Sequence, residues 1–166
     1  MSSTLPADAR AVVVTASNRA SAGVYEDTSG SVLAEGLRSF GFHVDGPHVL
    51  PDDVARLEQA LRDAVAGGVD VVVTTGGTGL SPTDVTPEAT RAVLEREAPG
   101  LAEALRRYGA DQVPTAVLSR GLAGTAGHTL IVNLPGSSGG VRDGLAVLGP
   151  LLPHVVSQLR GGDHPR

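Results

Sequence analysis

Residues 69–90 read VDVVVTTGGTGLSPTDVTPEAT, and the order of features in that stretch sets the fold. Val69 to Thr75 is a short apolar run rich in β-branched residues, the pattern of a strand buried on both faces in a parallel sheet. It runs directly into Gly76-Gly77-Thr78-Gly79. Thr86-Pro87-Glu88 then supplies an N-cap residue with proline at the first helical position, predicting a helix through Leu94. Strand, glycine turn and helix in that order form the half-unit of an α/β fold whose loop can meet a ligand. The turn departs from the dinucleotide fingerprint: Gly77 and Gly79 fit its first two positions, but Pro82 holds the third. A nicotinamide dehydrogenase is therefore set aside.

Working outward, Ala11 to Thr15 (AVVVT) predicts a second buried strand, followed by a polar loop from Ser17 to Asp27. Val32, Leu33, Leu37 and Phe40 have helical spacing between Ser29 and Gly41. His43 to Leu50 is a weaker strand. Asp52 or Asp53 then caps a helix with Val54, Leu57, Leu61 and Val65 on one face, stopped by Gly67 and Gly68. Pro99 to Tyr108 reads as helical, Thr115 to Leu118 and Thr129 to Leu134 as strands. Val141 to Leu159 reads as helix interrupted at Pro150 and Pro153. Strands alternating with helices imply a single three-layer α/β domain, with a mostly parallel central sheet and helices on both faces. The expected limits are a disordered lead-in over 1–9, the domain over 10–160 and a tail over 161–166.

Composition narrows the chemistry. The 166 residues have 41% hydrophobic content and a net charge of −5, and all 13 basic residues are Arg. Absent cysteine excludes disulfides, iron–sulfur clusters, thiolate zinc sites and thiol nucleophiles. Absent lysine excludes the P-loop and every Schiff-base mechanism. The acidic balance, with no Trp, two Phe and two Tyr, argues against nucleic acid as a partner. No apolar run approaches the ~18 to 20 residues of a membrane span, and the first residues do not form a signal peptide, so no membrane partner and a cytoplasmic location are expected.

In an open parallel sheet, ligands bind beyond the carboxyl ends of the strands. Three strands run there into unusual loops: SNRASAG, GGTGLSPTDVTP and NLPGSSGG. Glycine turns and helix N-termini expose backbone N–H groups that hold phosphate without lysine, although each turn read alone is equally a tight turn. Asp84 lies inside the glycine loop, where a carboxylate near phosphates calls for a divalent cation between them; the alternative is a solvated loop aspartate or Asx-turn. For Asp52 the alternative is capping alone. Gly136-Ser137-Ser138-Gly139-Gly140 matches a nucleophile elbow, but Asp143 with His154 or His164, which follow it, lie too close in sequence to supply both partners of a serine hydrolase. The five histidines show no metal-ligand spacing.

Taken together and in order, TTGGTGLSPTDVTPEAT, AVLSR and LIVNLPGS resemble the molybdenum-cofactor biosynthesis family of the Mog/MoaB type, typified by molybdopterin adenylyltransferase. The likeness runs from the first strand to the NLPGS loop. It implies a trimeric three-layer α/β protein that uses Mg²⁺ and ATP to adenylylate the terminal phosphate of molybdopterin, releasing pyrophosphate. A downstream molybdenum-insertion protein is an implied partner, and a non-catalytic pterin-binding or partner-binding member of the family is the alternative. By position, Asp84 and Asp52 match the essential, metal-holding acids. Thr75, Gly76, Gly77, Thr78 and Gly79 match the phosphate-cradling turn. Ser17, Asn18, Asp27, Ser119, Asn133, Pro135, Gly136 and Ser137 match positions lining the nucleotide and pterin pocket. Asn18 stands where many relatives carry Asp, and the last loop lacks a lysine common there, with Arg19, Arg142 or backbone N–H groups as substitutes. Aliphatic residues at 145, 148, 152 and 156 are open to either a subunit contact or the core.

Overall fold

Three strands at the centre of the sheet are buried along nearly their whole length: β1 (Arg10–Ala16), β3 (Val71–Thr75) and β6 (Thr129–Leu134). The computed structural model describes residues 4–162; residues 1–3 and 163–166, with His164 and most of the expected tail, lie outside it. β2 (His43–Leu50) flanks β1, and β4 (Arg96–Glu97) and β5 (Ala123–Ala126) complete a sheet of order β2-β1-β3-β6-β5-β4. The first four are parallel, and β5 and β4 pair antiparallel at the far edge. The register aligns Val13 with Val73 and Val73 with Val132 across the three central strands.

Alternation along these strands divides the core in two, because successive side chains point to opposite faces. Val13, Val71, Val73 and Val132 pack under α2 (Thr28–Phe40), α5 (Pro99–Gln112), α6 (Ser138–Leu148) and α7 (Leu152–Leu159). Val12, Val14, Val72 and Ile131 pack under α3 (Val54–Ala66) and α4 (Thr86–Val93). This is the expected three-layer arrangement. A four-residue helix, α1 (Asn18–Ser21), interrupts the first loop.

Several local expectations change. Pro114–Leu118 is a 3₁₀ turn, where Thr115 to Leu118 read as a strand. Val117 and Leu118 are exposed, so the β-branched run has no sheet partner to join. The edge strands β4 and β5 are short and β5 contains Gly124, too little pattern to read from sequence. Thr86 is the first helical residue rather than the cap; the cap position is Val85, without a side-chain bond. Pro153 lies in the first turn of α7, so the helix break falls at Gly149 to Leu151. Residues 5–9, expected as a loose lead-in, are held: Ala9 is fully buried and Leu5 packs on the core. Leu145, Leu148, Leu152 and Val156 belong to that core, with Leu145 also bordering a surface groove.

Candidate active site

The chain leaves β1 toward β2 on one side and reaches β3 on the other, so the order 2-1-3 makes a topological switch point. The loops after β1, β3 and β6 meet there, at the carboxyl ends of the strands. The ladder continues into them: Ser17 N–H donates to Leu50 O (2.9 Å) and Gly76 N–H to Leu134 O (3.1 Å). Thr75 Oγ1 donates to Pro135 O (2.6 Å) and Thr86 Oγ1 to Gly76 O (3.0 Å), locking the glycine loop to the last loop and to α4. Gly76 and Gly77 have φ of +93° and +69°. A Cβ at Gly76 would meet Ala16 O, and one at Gly77 would meet Thr86 Oγ1. Glycine is required at both. The N–H groups of Gly77, Thr78 and Gly79 have no protein acceptor among the described residues, which leaves three successive backbone donors unpaired at the cleft.

A cleft of two lobes opens over this junction. The polar lobe, about 430 Å³, is bounded by Ser17, Asn18, Arg19, Asp27, Asp52, Thr75 and Gly76. The larger lobe, about 730 Å³, runs under α5 and the start of α6, past Thr78, Gly79, Ser119, Asn133, Pro135 and Ser137. Gly77, Asp84 and Gly136 line both lobes. Every residue matched by position to the family's acids, turn and pocket thus borders one cleft.

Their side chains divide into two groups. Ser17, Asp27 and Ser137 cap helices, accepting from Ala20, Gly30 and Gly140 N–H respectively. Asn133 is buried; its amide donates to Thr74 and Thr90 Oγ1 (3.0 Å each) and its oxygen accepts from Leu122 N–H (3.0 Å). These residues shape the walls. The two acids have freer carboxylates. Asp53 caps α3 through Arg56 N–H (2.9 Å), which releases Asp52 from the capping role. Asp52 and Asn18 instead bridge reciprocally: Asp52 N–H donates to Asn18 Oδ1 (2.8 Å) and Asn18 N–H to Asp52 Oδ2 (3.2 Å). That bridge needs an oxygen at position 18, not a charge. Asp52 Oδ1 is buried with no hydrogen-bond partner. Burial pushes the Asp52 carboxyl above the ordinary carboxylate range, against the Asn18 N–H, and the nearby Asp84 charge adds to the rise. Asp84 Oδ2 accepts from Ser81 N–H (3.0 Å), which holds the carboxylate at the loop.

A buried acceptor without a donor calls for a proton or a cation. No group of three or more His, Cys, Asp or Glu is placed to hold a metal ion among the described residues, so no cage built from protein side chains alone is present there. Two carboxylates beside open N–H donors fit Mg²⁺, which binds through one or two carboxylates plus substrate phosphates. No described histidine lines either lobe, leaving no base for Ser137 or Ser138. Arg142, expected as a substitute for the missing lysine, lies on a separate surface groove with Phe40 and Gly149, whereas Arg19 borders the polar lobe. Two arginines have roles that the sequence does not show. Arg106 donates to Gly121 O (3.0 Å) and lines the larger lobe, and Arg120 binds the glycine loop from behind. Arg106 sits in no motif; Arg120 ends the AVLSR stretch, which by itself does not say what the side chain binds.

The profile of a family described as "Probable molybdopterin binding domain" matches residues 12–154. The chain belongs to the molybdenum-cofactor biosynthesis family. It is 39% identical to the molybdopterin adenylyltransferase of Helicobacter pylori strain J99, over 90% of this chain and 86% of that protein. It is 35% identical to a molybdenum cofactor biosynthesis bifunctional protein of Chlorobaculum tepidum, over 93% of this chain; there it spans about half of the relative's length, 50%. The molybdopterin biosynthesis Mog protein of Mycobacterium ulcerans superimposes with a TM-score of 0.86 at 52% identity, over 91% of this chain and 99% of that one. The cleft therefore belongs to a family fold shared along nearly the whole chain. No helix of the described residues is long and apolar enough to cross a membrane.

Proposed function

We propose that this chain is a molybdopterin adenylyltransferase: it transfers AMP from ATP to the terminal phosphate of molybdopterin and releases pyrophosphate. The carrying observation is the junction of the two lobes, where a glycine loop whose N–H groups at 77–79 have no protein acceptor among the described residues lies beside two carboxylates, one with an orphaned oxygen. A site for two phosphorylated heterocycles needs phosphates at the centre and room on either side. In the transfer, an oxygen of the acceptor phosphate bonds to the α-phosphorus, and the bond from that phosphorus to the bridging oxygen of pyrophosphate breaks. The glycine-loop N–H groups hold phosphate oxygens, and their fixed direction places them for charge that builds during the transfer. The packed 75–79 loop and the 135–137 loop hold both substrates in one geometry, so positioning supplies part of the rate. Asp52 and Asp84 would hold Mg²⁺, which when bound neutralises charge on the triphosphate.

The test is pyrophosphate release from ATP and Mg²⁺, with and without added molybdopterin. Release that depends on molybdopterin supports adenylyl transfer. Binding of both ligands without release assigns the chain to the non-catalytic alternative. A homotrimer is part of the proposal, resting on family resemblance, with exposed Tyr108, Val113, Val117 and Leu118 as an apolar surface open to association. Sedimentation equilibrium at micromolar concentration tests it; a monomer removes it. A molybdenum-insertion protein is the partner proposed to receive the adenylylated product, and no nucleic-acid partner is proposed.

A further inference from the structure

The segment that carries Asp84 is anchored at its end, where Val85 packs on the core and Thr86 N–H donates to Gly77 O (3.1 Å). Ahead of that anchor Leu80 is 66% exposed and Ser81, Pro82 and Thr83 are exposed. Across residues 79–84 one side chain from outside the loop supplies the hold. Arg120 follows the 3₁₀ turn, and its backbone N–H donates to Thr78 O (2.8 Å). In its side chain, Nε donates to Gly79 O (2.8 Å) and Nη2 to Asp84 O (2.8 Å), closing the loop at both ends. Nη1 and Nη2 bind the Glu88 carboxylate on α4 at 2.7 and 3.2 Å. One rigid guanidinium plane therefore ties Gly79, Asp84 and α4 together. Arg120 lines neither lobe of the cleft.

We propose that Arg120 is a positioning residue that sets the Asp84 carboxylate and the Gly77 to Gly79 N–H row in register for a metal–nucleotide complex, a role that rests on the adenylyl-transfer reading. The fork geometry is what the site uses. Two carbonyls and a carboxylate lie in three directions from one group, and a lysine ammonium is a point charge on a flexible stem that does not span them in a fixed plane. Groups that orient metal-holding carboxylates typically change metal affinity by about 10- to 100-fold when removed. Arg120 acts from behind the loop, so its loss shifts the loop while every group that faces the ligand remains.

The experiment compares the parent chain with Arg120→Lys, Arg120→Ala and Glu88→Gln. Binding of Mn²⁺ with ATP is followed by the electron paramagnetic resonance of free Mn²⁺, alongside pyrophosphate release and thermal unfolding. Arg120→Lys is expected to stay folded, to bind Mn²⁺-ATP at least ~10-fold more weakly and to lose ~10- to 10²-fold in turnover. Glu88→Gln, which loosens one side of the clamp, should fall between. Millimolar guanidinium should restore binding to Arg120→Ala where ammonium at equal ionic strength does not; should Arg120→Ala fail to fold, the other two variants decide. Parent-like Mn²⁺-ATP affinity in folded Arg120→Lys overturns the inference and leaves the adenylyl-transfer reading standing. A parent chain that binds no Mn²⁺-ATP overturns both.

Discussion

Asp70 and Asp52 lie at opposite ends of the parallel strands, Asp70 just before β3 and Asp52 just after β2, and their surroundings treat charge in opposite ways. Asp70 is buried with its oxygens fully engaged: Arg10 N–H donates to Oδ2 (2.9 Å), and Arg160 Nε and Nη2 donate to Oδ1 and Oδ2 (2.8 and 2.9 Å). Arg160 also reaches Asp8 (2.9 Å), tying the first residues and the last helix to the sheet. Burial pushes the Asp70 carboxyl up, but the Arg160 side chain, the Arg10 N–H and both positive charges outweigh it and hold it below the ordinary range. Asp52 is only partly buried, yet one of its oxygens has no partner and its carboxyl is pushed up. Charge at the amino-terminal edge is consumed by the fold. At the carboxyl edge one carboxylate oxygen is left without a partner.

If that contrast is right, removing charge at the two edges has separable consequences. Asp84→Asn should show the largest effect, a turnover loss of at least ~10²-fold, on the scale of removing one transition-state electrostatic contact. Its melting temperature should stay within a few degrees of the parent. Asp52→Asn should lose turnover comparably, since Asp53 and not Asp52 caps α3. Parent-level pyrophosphate release from both variants would break the contrast on the catalytic side.

Gly77→Ala comes next. It places a Cβ at φ +69° against Thr86 and 3.1 Å from Asp52 Oδ1. A left-handed conformation costs about 1–2 kcal/mol for a residue other than glycine, so stability should drop together with ATP affinity. Gly79→Ala has no such φ, but its Cβ would lie 2.8 Å from Asp84 Oδ2. It should weaken Mg-ATP binding with little loss of stability, as read by calorimetry beside thermal unfolding. Equal stability losses in the two variants would mean that Gly79 also serves the turn.

At the other edge, Asp70→Asn should cost about 2 kcal/mol, the scale of charge-assisted hydrogen bonds. That corresponds to a melting temperature lower by roughly 4–8 °C for a chain of this length, with turnover unchanged at a temperature where both proteins are folded. The penalty depends on pH in a defined direction. A depressed carboxyl contributes stability above its unfolded value, near ~3.9, and loses it as pH falls through the lower folded value. Parent and variant melting temperatures should therefore converge in acid. A gap that widens on acidification would mean that the Arg160 contact does not hold the charged form.

The smallest effect carries the opposite sign. Asp52 has a raised carboxyl, so ionising it at neutral pH opposes folding, and stability from this group falls as pH rises through its folded value. Asp52→Asn should be neutral to slightly stabilising at pH 7, within ~0.5 kcal/mol of the parent. A clear loss of stability in Asp52→Asn would show that the Asn18 bridge needs the charge.

Much of this molecule was open to reading before any coordinates. The Val-rich runs at 11–15 and 69–75 became β1 and β3, and the glycine loop between β3 and α4 became the floor of the cleft. These signals are local, carried by β-branched runs and by glycine and proline punctuation within a few residues. Reading failed where pattern was short or partners were distant. Val117 looked like a strand residue and is exposed on a 3₁₀ turn, and the real edge strand, Ala123–Ala126, has too few branched side chains to stand out. Arg120 ends the AVLSR motif, yet its clamping role is not legible there because its side-chain partners lie 32 to 41 residues away.

Sequence alone determined the layer architecture, the three loops that meet at one edge of the sheet, and the pair of acids placed among them, because each depends on residue types and spacings along one segment. Tertiary structure alone decided which of Asp52 and Asp53 caps a helix and which keeps a bare oxygen. It also decided that Arg142 lines another groove while Arg120 holds the loop, and that Leu145, Leu148, Leu152 and Val156 belong to the core. The reason is that a side chain's role follows from the donors, charges and apolar surfaces brought against it. For Asp52 and Asn18, 34 residues apart, only the folded chain brings them together.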